Sequence, residues 1–261
     1  MGNVCPCAPR ARGLVRVWLV ATTTLTPHQG AVRSSVALKA LMAVTGLLLI
    51  AFLLMHMFGN FKMFLGEEAF NHYAGWLKGE TPDGGILYPI LPAGAFIWVF
   101  RSVLVLAVIL HIYSAVTLWM RAKAATPSAY KARKALAQTY SARTMRWGGV
   151  ILAGVLIFHL AQFTVHSALT AGSFGATYAH SPYKMFVGEF QQWWMVVIYA
   201  VWMLAVAMHL RHGFWSAFAT LGANTSPKAF RVLNACAWAI AILLYIGFIF
   251  APVAVLVGWI H

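Results

Sequence analysis

The chain of 261 residues is 61% hydrophobic and only 9% charged, too apolar for a soluble domain of this length. Nineteen Lys and Arg against five Asp and Glu give a formal net charge of +14. The basic residues gather in loops between apolar segments, which points to membrane orientation rather than to a nucleic-acid surface.

Residues 1–35 read as a basic cytoplasmic extension. Arg10 and Arg12 precede the short apolar run Leu14 to Ala21, and Arg16 interrupts it, so the run is too short and broken for a signal peptide. Gly2 would suit myristoylation, but Pro6 stands where Ser or Thr is required. Cys5 and Cys7 form a Cys-Pro-Cys pair, which lacks the further ligands of a closed metal site. From residue 36 to 261 five apolar stretches follow, at about 36–58, 93–120, 145–165, 192–210 with an extension to 218, and 232–259. About 20 residues cross the hydrocarbon core, and backbone groups cannot go unpaired in lipid, so all five are expected to be transmembrane helices. Between the first two, Thr81 to Gly85 and Pro89 to Pro92 read as turns. Cys236, in the fifth stretch, reads as a packed thiol.

Loop charge gives an orientation. Arg121, Lys123, Lys131, Arg133, Lys134, Arg143 and Arg146 lie between the second and third stretches without an acid, and Arg211, Lys228 and Arg231 lie between the fourth and fifth. The loop from Gly59 to Pro92 instead carries Glu67, Glu68, Glu80 and Asp83 against Lys62 and Lys78, and Lys184 balances Glu189 before the fourth stretch. The positive-inside rule puts the N-terminus and the two basic loops in the cytoplasm and His261 outside.

Four of the ten histidines lie within apolar stretches, one in each of the first four: His56, His111, His159 and His209. An imidazole in a bilayer is costly and usually functional. With this topology His56 and His159 lie in the outer half. His111, about ten residues or roughly 15 Å from the inner end, lies with His209 in the inner half. One reading of each is a polar side chain bonded to a neighbouring helix. The other is a set of axial ligands, two for each of two haem irons. Without a Cys-x-x-Cys-His sequence such haems would be noncovalent. Small residues near the histidines would leave room for a macrocycle or simply permit close packing: Gly46 before His56, Ser114 and Ala115 after His111, Gly148, Gly149 and Gly154 before His159, and Gly213 after His209. His166, on the same helical face as His159, is a rival that could meet a haem propionate or a quinone.

The pattern resembles the dihaem cytochrome b membrane anchor of succinate:quinone oxidoreductases and quinol:fumarate reductases, in its single-chain, five-helix form. The residues carrying the resemblance are Thr45-Gly46 with His56 ten residues on, His111 within Leu110 to Ala115, His159 after Phe158, and His209 followed by Gly213-Phe214-Trp215-Ser216. One ligand per helix on four helices differs from the cytochrome b of quinol–cytochrome c reductases, which places two ligands on each of two helices. The resemblance covers about residues 36–261. It implies that the first four helices form a haem-binding bundle. His111 and His209 would bind a proximal b-type haem, and His56 and His159 a distal one. A flavoprotein and an iron–sulfur subunit would sit on the cytoplasmic side of a prokaryotic membrane, so the chain alone would not oxidise succinate. Quinone, menaquinone or ubiquinone, would be the other electron partner. Glu67 and Glu68 are candidates to supply its protons, and Arg101 a candidate for a haem propionate. Other readings are a dihaem anchor of a hydrogenase or formate dehydrogenase, and a haem-free transporter.

Overall fold

The computed structural model describes residues 34–125, 140–165 and 181–261, with backbone alone at 140–144 and 146. The basic extension with Cys5 and Cys7, most of the loop between the second and third spans, and His166 lie outside the described residues. Helix α1 covers Ser35–Asn60 and runs into a 3-10 turn, Phe61–Leu65. Then come α2 (Glu67–Lys78), α3 (Ala95–Ala124), α4 (Tyr140–Leu160) with a π-helical turn at Ala161–Val165, α5 (Pro182–Phe190), α6 (Trp193–Thr220) and α7 (Pro227–Leu256). Five of these are long and apolar enough to cross a bilayer: α1, α3, α4, α6 and α7. The chain is an all-α, multi-pass membrane protein with five spans.

Local chemistry sets several boundaries. Ser34 caps α1 by accepting from the Ala37 amide at 3.0 Å. Ser226 caps α7 through Ala229 at 3.1 Å, ahead of Pro227, whose missing N–H costs nothing in a first turn. Helix α2 ends at Gly79, in the left-handed region at φ 74°. A Cβ there would strike the backbone of Gly94, so the chain re-entering α3 needs glycine on steric grounds as well. The segment from Thr81 to α3 is made of turns, as its Pro and Gly predicted.

Sequence reasoning did not foresee α2 or α5. Both are short and lie at the end of the bundle where α1 and α4 finish. A polar clamp joins them. Asn71 donates to the Ser181 hydroxyl at 3.0 Å and accepts from the Tyr183 amide at 3.0 Å. Ser181 donates to Glu67 at 3.1 Å, and Lys184 pairs with Glu67 at 3.4 Å.

Helices α6 and α7 form the tightest pair of spans. Ala237, Ala241, Leu244, Ala251 and Ala254 are buried along one face of α7. Lipid tails are as apolar as Leu, so this face works through close van der Waals approach between small side chains. By contrast, Trp98, Ile109, Val150, Ile157, Val201 and Ile246 point outward from their helices, as lipid-facing residues must. Cys236 is also exposed, on the surface of α7, and not a packed thiol. It falls on the outward side of that helix, next to the buried Ala237.

Candidate functional site

The four membrane histidines meet in two pairs. The ring centroids of His56 (α1) and His159 (α4) are 6.0 Å apart, with planes at 82°. Those of His111 (α3) and His209 (α6) are 6.4 Å apart, with planes at 64°. These are the partners that depth in the bilayer suggested. Because α6 continues to Thr220, His209 lies well inside its helix rather than at the end of it.

Each pair spans two helices that are not close-packed neighbours. Helix α1 packs on α3, α6 and α7, and α6 packs on α1, α4 and α7. The histidines instead join α1 to α4 and α3 to α6. Imidazoles on opposite sides of one metal, each with a nitrogen about 2 Å from it, place their ring centres about 6 Å apart. No group of three or more His, Cys, Asp or Glu among the described residues could hold a metal ion unaided. Two nitrogens per site suit an iron whose other positions a macrocycle fills.

Hydrogen bonds decide which nitrogen is free. Thr45 donates its hydroxyl to the Leu41 carbonyl at 2.8 Å, so toward His111 Nδ1, at 3.3 Å, it presents a lone pair. Nδ1 of His111 therefore carries the proton, and Nε2 keeps its lone pair. His159 repeats the logic. Its Nδ1 lies 3.2 Å from the Tyr199 hydroxyl, and that hydroxyl donates to Gln162 Oε1 at 2.5 Å. Acceptors bonded to the Nδ1 proton orient an imidazole and raise the basicity of its other nitrogen. His56 is held by stacking on Phe52, with centroids 5.3 Å apart and planes at 20°. His209 Nδ1 is buried with no hydrogen-bond partner among the described residues.

The glycines divide. A Cβ on Gly46 would come within 3.2 Å of His111 Cε1, so Thr45-Gly46 serves the His111 pair rather than His56. On Gly148, Gly149, Gly154 and Gly213 a Cβ would meet nothing within 4 Å among the described residues, which leaves these helix faces shallow. Ser114, fully buried, donates back to the Leu110 carbonyl at 2.6 Å and is a packing residue. On these observations the residues present fit two axially ligated haems.

The other candidates separate as clearly. Glu67 is committed to the α2–α5 clamp. Glu68 lines an open cleft of about 550 Å³ with Lys62, His72, Tyr73, Trp76 and Asp83. The cleft adjoins the end of α1: Tyr73 is close enough to Gly59 that a Cβ there would lie 3.2 Å from its ring. Burial pushes the Tyr73 phenol above its usual range, so it stays a donor. Arg101 lies over the exposed Trp98 ring, 5.2 Å from its centroid.

Two functional candidates were not legible beforehand. Gln162, 1% exposed, follows His159 on the π-helical turn and donates to Glu189 Oε2 at 2.8 Å. Glu189 is completely buried, and its Oε1 has no partner among the described residues. Burial raises its carboxyl pKa, with the bond from Gln162 acting in the opposite direction. The sequence balanced Glu189 against Lys184, whereas the structure pairs Lys184 with Glu67. The signal was the apolar setting of Glu189, between Phe186 and Phe190.

Comparison with protein-family models, curated proteins and solved structures finds no match for this chain.

Proposed function

We propose that this chain is the dihaem cytochrome b membrane anchor of a succinate:quinone oxidoreductase or quinol:fumarate reductase. The observation that carries the reading is the pair of imidazole couples, with ring centres 6.0 and 6.4 Å apart, each joining helices that are not close-packed neighbours. His111 and His209 would hold the inner b-type haem, and His56 and His159 the outer one. Bound there, the haems would supply one-electron carriers between a partner iron–sulfur subunit and membrane quinone.

The chain's own residues fix the ligands and serve both ends. Thr45 and Tyr199 accept the Nδ1 protons of His111 and His159 and leave Nε2 to bind. At one end Arg121 and Lys123 close α3 and Lys228 and Arg231 open α7, giving that end a cationic character suited to docking the iron–sulfur and flavoprotein subunits. The positive-inside rule assigns that face to the cytoplasm and His261 to the outside of a prokaryotic membrane. At the other end the Glu68 cleft offers aromatic walls from Tyr73 and Trp76 for a quinone ring. Glu68 and His72 are groups there that can hand over the protons a quinol needs.

The test is to purify the chain with its native partners and add succinate. Reduction of both haems followed by quinone reduction is expected. Co-purification with hydrogenase or formate dehydrogenase subunits, and no response to succinate, would contradict the assignment. Within the anchor, His111→Ala should remove the inner haem and spare the outer one. Loss of the outer haem alone would overturn the pairing.

A further inference from the structure

We propose that the turn segment 86–92 is an interfacial anchor, whose apolar side chains insert into the lipid leaflet at the end of the bundle away from Arg121 and Lys123 and set the Glu68 cleft beside lipid. The insertion stands on the surface of the chain alone. The use of the cleft rests on the quinone reading and deepens it.

The pattern begins in the sequence. No charged residue stands between Asp83 and Arg101. Only the last part of that stretch, from Ala95, belongs to α3. The part before it, Ile86-Leu87-Tyr88-Pro89-Ile90-Leu91-Pro92, forms turns and is nonetheless apolar. In the structure Ile90 is 82% exposed, Tyr88 54% and Leu87 48%. Large apolar side chains standing together clear of the protein mark a surface that meets a membrane or a partner.

The segment is held in place and makes hydrogen bonds of its own. The Leu91 amide donates to the Leu87 carbonyl at 2.8 Å, and the Ala95 amide to the Pro92 carbonyl at 3.0 Å. Pro89 and Pro92 have no N–H to satisfy. Gly85 lies so close to α2 that a Cβ there would strike the Trp76 carbonyl, and the Tyr88 ring lies over Gly84.

Continuity with α3 identifies the occupant as lipid. The segment runs directly into the first turns of α3, where Trp98 and Val99 are exposed on the lipid-facing surface. Arg101 reaches back one turn to lie over Trp98, as a cation does when it extends from a span toward the headgroups. Trp is itself enriched at that level. These turns therefore mark the membrane boundary, and the apolar segment lies next to it. A rim of charge, which a protein-docking face carries, is missing from residues 84–100.

Trp76 ties the segment to the cleft. It lines the cleft with Glu68 and Asp83, and its carbonyl supports Gly85. With the segment seated in the leaflet, a lipid-borne quinone enters the cleft sideways and does not cross water.

The experiment uses the complex in lipid nanodiscs, with Cys5, Cys7 and Cys236 replaced by Ser and a spin label on Ile90→Cys. Collision with oxygen and with a water-soluble nickel chelate is compared with labels on Ile109→Cys, which faces lipid, and Glu80→Cys, which is exposed near the end of α2. Ile90 is expected to match Ile109, with high oxygen and low nickel access. A match to Glu80 overturns the proposal. So does low access to both reagents, which would mean that protein covers the segment. Should the Ile90 variant not assemble, Leu87→Cys is read in the same way. Leu87→Ser combined with Ile90→Ser should raise the KM for lipid-borne quinone and leave the rate with a water-soluble quinone analogue unchanged. An unchanged KM overturns the entry role. A wild-type complex that reduces no quinone overturns the functional reading of the cleft, while the label still reports the insertion.

Discussion

Single atoms decide the chemistry at several residues. Gly46 has only a 3.2 Å clearance between its would-be Cβ and His111, so Gly46→Val should push the imidazole off its axis. The expected result is a loss of roughly half the bound haem, confined to the inner site, read from the reduced-minus-oxidised spectrum. The two adjacent acids of α2 should behave differently. Glu68→Gln removes a proton donor from the cleft and should slow quinone reduction by about 10²-fold, the usual scale for a lost acid–base group. Glu67→Gln should leave turnover nearly intact and instead lower thermal stability, since it loses the Lys184 ion pair and the bond from Ser181. Equal kinetic effects from the two variants would contradict the assignment of the cleft. Little of this was visible in sequence, where Glu67 and Glu68 are equivalent neighbours. The turn at Gly66, with φ at 94°, starts α2 and aims the two side chains at different surroundings.

Spans and surface helices differ in how much of them can be read in advance. The five spans were legible because lipid forces any long apolar run to close its own hydrogen bonds. Helices α2 and α5 were not. They are short, bounded by Gly66 and Gly79 or by Ser181 and Gln191, and they are held by the clamp between them and, for α5, by burial of Phe186, Val187 and Phe190. The histidine pairs were legible through depth alone, since helix rise converts position into height. The Gln162–Glu189 contact was not, because it depends on the π-helical turn after His159 and on where α5 folds back. Packing between spans gives a further prediction. Gly247 of α7 faces Met57 of α1 so closely that an added Cβ would overlap its sulfur. Gly247→Leu should cost about 1–3 kcal/mol, the usual scale for overpacking, seen as a lower unfolding temperature in detergent. An unchanged unfolding temperature would mean that α1 and α7 do not meet as described.

Across the whole molecule one end is cationic and the other carries the acidic cleft and the buried Glu189. The histidine pairs lie on the spans that join these ends. Such an arrangement suits vectorial electron transfer from a docked subunit to a membrane carrier, with protons handled at the far end. Its orientation is testable by fusing a reporter active only outside the cytoplasm after His261, which should be active. All of it depends on whether the histidine pairs bind haem. The most direct measurement is quantitative haem analysis of the purified chain, with a reduced-minus-oxidised spectrum. Two noncovalent b-type haems per chain are predicted, and a haem content near zero would contradict the account.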